Sequence, residues 1–71
     1  MYFPRLLELR EEKFWTQKEV AVLLGINQRV YSNYELGQRD IPTDVLIRLS
    51  QFYGVSVDYL LGLTVNPKQN K

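Results

Sequence analysis

With 71 residues, 45% of them hydrophobic and 24% charged, the chain can build one small core and not two. It has no cysteine and no histidine, which removes disulfide staples, thiolate nucleophiles, zinc ribbons and histidine general bases, so neither an enzyme nor a cofactor is expected. The formal net charge of +1 is too balanced to announce a polyanionic partner by itself, so the placement of the charges has to decide. The longest apolar run, Val20 to Leu24, is far shorter than the roughly 20 residues a bilayer crossing needs, and Met1-Tyr2-Phe3-Pro4-Arg5 lacks a signal-peptide pattern. A cytoplasmic protein with no membrane partner is expected.

Phe3, Leu6, Leu9 and Lys13 recur at helical spacing, with Glu8, Arg10, Glu11 and Glu12 on the wet face and Pro4 suited to a first helical turn. Thr16-Gln17-Lys18-Glu19 has the capping-box arrangement and starts a second helix, with Val20, Ala21 and Leu24 inward and Gly25 as its stop. Asn27 is a good N-cap for a third helix reaching about Leu36. At 100° per residue, Gln28, Ser32, Leu36, Arg29 and Asn33 fall at about 0°, 40°, 80°, 100° and 140°, while Val30, Tyr34 and Tyr31 fall at about 200°, 240° and 300°. One face carries hydrogen-bonding groups and the other packs, so Tyr31 and Tyr34 are expected in the core with their hydroxyls at its rim. After the polar connection Gly37 to Pro42, Thr43 is expected to cap a fourth helix burying Val45, Leu46, Leu49, Phe52 and Tyr53. Ser56 caps a short fifth helix with Val57, Leu60 and Leu61 inward. Residues 1–63 then form one domain, and 64–71 are expected to be a flexible tail.

Two short helices joined by a tight glycine turn, the second with amides and a guanidinium on its outer face, are what a helix-turn-helix reader of the major groove requires. Ala21 has to be small where the two helices cross, and Gly25 has to accept positive φ so that the chain reverses at once. Arginine matches guanine edges and asparagine or glutamine matches adenine edges, and Gln28, Arg29 and Asn33 supply that set.

Residues 5–62 also resemble the Cro/repressor-type helix-turn-helix family, also called the xenobiotic-response-element family. The resemblance lies in Leu9-Arg10-Glu11-Glu12-Lys13, Thr16-Gln17 through Leu24-Gly25-Ile26, Tyr31-Ser32-Asn33-Tyr34-Glu35 with Gly37, and Gly54-Val55-Ser56-Val57-Asp58-Tyr59-Leu60-Leu61-Gly62. It implies an all-α, five-helix, lambda-repressor-like domain that binds a pseudo-palindromic stretch of double-stranded DNA as a homodimer, with the third helix in the major groove. By motif position it makes Gln28, Arg29 and Asn33 base readers, Gln17 a phosphate clamp, and Gln38 and Arg39 backbone contacts. Lys18, Asn27 and Ser32, which border the same face, complete the expected backbone set. Arg10 and Glu35 stand where the family pairs its first and third helices, and Tyr59 lies in the region expected to join two copies. Three residues depart from the pattern. Phe14 stands where Gly or Asn is common, so the turn there is expected to differ; Val30 replaces a small hydroxyl residue; and Leu36 replaces a polar or basic one.

Trp15 is expected in the core, and Glu8, Glu11 and Glu12 sit on a wet face with nothing to raise a carboxyl pKa, so no catalytic dyad is visible. Residues 13–39 hold Lys13, Lys18, Arg29 and Arg39 against Glu19 and Glu35, a net of +2, and the remainder carries −1. Positive charge therefore gathers mildly at the expected DNA face, and so few cations per copy favour two copies on half-sites about 34 Å apart. The functional expectation is a transcriptional repressor. An antitoxin or restriction-controller protein of the same fold, or a protein-binding module using the third helix, are the rival readings.

Overall fold

The computed structural model describes residues 2–68, which contain five helices and no strand. These are α1 (Pro4–Glu12), α2 (Gln17–Leu24), α3 (Gln28–Glu35), α4 (Thr43–Tyr53) and α5 (Val57–Leu60). The all-α architecture expected from the sequence is therefore the one observed.

Local chemistry sets most helix starts. Pro4 opens α1 after an extended Phe3. Thr16 Oγ1 accepts from the Glu19 amide at 3.1 Å while Glu19 Oε1 accepts from the Thr16 amide at 3.0 Å, a complete capping box. Asn27 Oδ1 accepts from the Arg29 amide at 2.7 Å, and Ser56 Oγ from the Tyr59 amide at 3.0 Å. The fourth start corrects the sequence reading: Thr43 is the first helical residue and makes no cap, the capping position being Pro42. Proline already holds the φ of −60° with an extended ψ of 149° that this position needs, so the chain enters the helix without a side-chain acceptor.

All five helices end alike, on a residue at positive φ whose successor donates back five residues along the chain. In four of them this residue is glycine. In α1 it is Phe14, at φ 59°, with Trp15 N bonded to Arg10 O at 3.2 Å. The turn after α1 thus keeps the geometry of its glycine counterparts, contrary to the expectation that a bulky side chain would alter it, and the ring is left 91% exposed.

The core is one cluster to which every helix contributes: Leu6 and Leu9, then Val20, Ala21 and Leu24, Tyr31 and Tyr34, Val45, Leu49 and Tyr53, and Leu60, with Val55 from the connection before α5. α2 packs chiefly on α3 and α4 on α5, while α1 spans α3 and α5. Leu46, Phe52, Val57 and Leu61 are half-buried, at the edge of the core and not inside it. Tyr31 is wholly buried, so its hydroxyl does not reach the rim as its wheel position suggested. Ser56 N donates to Pro67 O at 3.0 Å, and Thr64 Oγ1 and Asn66 Oδ1 accept from the Asn66 and Lys68 amides. The remainder of the expected tail, 69–71, lies outside the described residues.

Candidate nucleic-acid interface

The α2–turn–α3 unit rests on Gly25, whose φ of 69° lets Ile26 N reach back to Ala21 O at 3.0 Å, so that α3 starts three residues later. Ala21 is buried at 2% exposure in the helix that packs most extensively on α3. Along α3 the burial follows the wheel: Tyr31, Tyr34 and Glu35 are buried and Val30 is half-buried against the core. Gln28 and Arg29 are exposed, and Ser32 and Asn33 are half-exposed beside them. The three residues expected to read bases therefore share one accessible face.

The residues around that face are placed as follows. Lys18 is exposed on the first turn of α2, and Gln38 and Arg39 are exposed just after α3. Asn27 is exposed, and its Oδ1 is committed to the cap. Gln17 is half-buried and its Nε2 donates to Glu35 Oε1 at 3.3 Å, so one of its two N–H bonds is turned inward.

Glu35 is the organising group that sequence reasoning undervalued. It lies at about 340° on the wheel, directly beside Gln28, and yet only 5% of it is exposed. Arg10 grips it with two parallel bonds, Nε to Oε2 and Nη2 to Oε1, both 3.0 Å, and sends Nη1 to Trp15 O at 2.9 Å. With the Gln17 bond, one carboxylate joins α1, α2 and α3. Burial by itself would push the Glu35 carboxyl up; the donors around it, Arg10 foremost, outweigh that and hold it below its ordinary value. The same hydrogen bonds raise the Arg10 guanidinium pKa. Tyr31 and Tyr53 also feel this carboxylate, their hydroxyls being buried close to it. Burial pushes both phenols up, Tyr53 to about 12. The Tyr53 ring meets the half-buried Trp15 at a centroid distance of 5.6 Å.

Among the described residues no cluster of three or more acidic, histidine or cysteine side chains could hold a metal, and no helix is long and apolar enough to cross a membrane. The Tyr59 ring, expected near a second copy, is covered by the chain's own Arg5 guanidinium at 3.9 Å from its centroid.

Five short helices in which the second and third form a compact reading unit define a helix-turn-helix domain. The Helix-turn-helix family model HTH_3 matches residues 6–60, and the chain belongs to that family, of the Cro/repressor type. It is similar to the HTH-type transcriptional regulator ImmR of Bacillus subtilis, with 48% identity over 67 residues, covering 94% of this chain and 53% of that protein. It is also similar to the cryptic phage CTXphi transcriptional repressor RstR of Vibrio cholerae, with 31% identity over 61 residues, covering 86% of this chain and 55% of the repressor. A crystal structure of a transcriptional regulator from Listeria innocua superposes with a TM-score of 0.78 at 28% identity, over 97% of this chain and 64% of that one. The chain thus spans about half the length of the two curated relatives.

Proposed function

We propose that this domain is the DNA-reading part of a transcriptional repressor acting in the cytoplasm, binding a pseudo-palindromic operator in double-stranded DNA as a homodimer with α3 in the major groove. The observation that carries the reading is the bare face of α3. Gln28 and Arg29 stand exposed on its first turn, the part of a recognition helix that reaches base edges, while Tyr31 and Tyr34 take the packed face into the core and Glu35, beside Gln28, is drawn inward by Arg10. Arg29 offers a bidentate donor to guanine, and Gln28 and Asn33 offer the donor–acceptor pair that suits adenine. Lys18 at the positive end of α2, with Gln17, Asn27, Ser32, Gln38 and Arg39, surrounds these readers with groups that suit phosphates. The repressor sign follows the named relative RstR.

Selection from random duplexes gives the operator, and titrations on operator and on unrelated DNA then separate the roles. Arg29→Ala is expected to cost about 1 to 3 kcal/mol on the operator and to relax one base-pair preference. Lys18→Ala and Arg39→Ala are expected to weaken both duplexes alike. Equal losses on both duplexes for Arg29→Ala would remove it from the reading set.

A further inference from the structure

On the side of α2 away from the core lies an open, mostly apolar groove of about 390 Å³, lined by Trp15, Lys18, Glu19, Val22 and Leu23. Val22 and Leu23 are 70% and 43% exposed there. Immediately before Trp15 in the chain, Phe14 projects its ring into solvent from a left-handed backbone. Nothing within the domain rewards either feature: the ring touches little, the backbone is strained, and the groove is empty of protein. Knob and hole on one surface are what a two-fold contact needs, because each copy then offers its ring to the groove of the other.

We infer that this surface is a self-association site, in which Phe14 of each copy seats in the Trp15–Val22–Leu23 groove of a second copy of the same chain. A cavity of about 150 Å³ already suffices for a benzene ring, so the groove is large enough. Its polar rim is self-complementary, since Lys18 and Glu19 carry opposite charges on adjacent positions and a two-fold axis can set each against its opposite. Each ring removes about 150 to 250 Å² from water. Two rings and the walls they cover stay below the roughly 1,200 Å² of stable interfaces, so the association is weak and reversible. On a duplex with neighbouring sites the contact would couple two binding events; that consequence rests on the DNA-binding reading, whereas the contact itself does not.

The test therefore uses the free protein. Sedimentation and the emission of Trp15, the single tryptophan, are followed over a wide concentration series. The wild type is expected to gain mass with concentration while Trp15 emission moves to the blue. Phe14→Asn removes the knob and also relieves the backbone, and Val22→Glu charges the hole at an exposed position, so neither threatens the fold. Each is expected to weaken association about tenfold or more. An equimolar mixture of the two variants is expected to recover part of it, because the surviving ring of one still fits the surviving groove of the other. A wild type that stays monomeric throughout, leaving the groove to a different partner, overturns the inference. So does either variant associating like the wild type, or a mixture no better than its components.

Discussion

Phe14 holds a backbone conformation that costs an ordinary L-residue about 1 to 2 kcal/mol, and its exposed ring returns little of this within the domain. Asparagine tolerates the left-handed region, so Phe14→Asn is expected to stabilise the monomer by about 1 kcal/mol, a rise of roughly 4 to 8 °C in the melting midpoint of a domain this size. A thermal melt at low protein concentration checks it, and an unchanged or lower midpoint contradicts the strain. Glu35 is the opposite case, a buried charge fully engaged by its neighbours. Removing one partner leaves the other uncompensated, so Arg10→Met or Glu35→Leu alone is expected to cost about 3 to 5 kcal/mol, and the double replacement far less than the sum. Because the folded carboxyl titrates below its ordinary value of 4.5, its contribution is complete above that pH and is lost as pH falls through the lower folded value. Denaturant midpoints for the wild type should therefore drop on acidification below about pH 4.5, and those of Glu35→Gln should drop less.

At the scale of helices, the joints that sequence reasoning reads well are the local ones. The Thr16–Glu19 box, the Asn27 and Ser56 caps and the Gly25 reversal each depend on residues at most a few positions apart, and all are present. Thr43 misled because a good capping side chain stood next to a proline that already supplied the required backbone. The wheel of α3 located the accessible face, but periodicity carries no information on what lies opposite an element. Only the packing of α1 and α2 against α3 draws Glu35 and the Gln17 amide inward, through bonds 25 and 18 residues apart in sequence. The return of Pro67 to Ser56 and the exposed groove on α2 were hidden for the same reason. Two substitutions test the helix-level account. Thr16→Ala is expected to cost about 1 kcal/mol by unmaking half of the box. Ala21→Phe forces a ring into the core beside α3 and is expected to unfold the domain or to abolish DNA binding, and a folded variant of unchanged affinity would show that the helix crossing has room to spare.

The whole domain measures 30 × 23 × 20 Å, slightly less than the spacing of about 34 Å between successive turns of the major groove. On the proposed reading one copy would cover one half-site, and two would fit side by side on one face of the duplex. With four basic side chains between residues 13 and 39, the proposed DNA face would neutralise few phosphates per copy. The logarithm of affinity for an isolated half-site is therefore expected to fall with the logarithm of salt at a slope of at most about −4, and for a full operator at about twice that. A titration in which both duplexes give the same slope would argue against paired binding. At the other end of the chain, a Cβ on Gly37 would stand 2.9 Å from Tyr2 Cα, so the first described residue is pressed against the connection that leads to Gln38 and Arg39. On the proposed reading, an affinity tag or a fusion partner joined ahead of Tyr2 would crowd the connection whose Gln38 and Arg39 are to meet the phosphates, and measurements of operator strength are best made with that terminus left unencumbered.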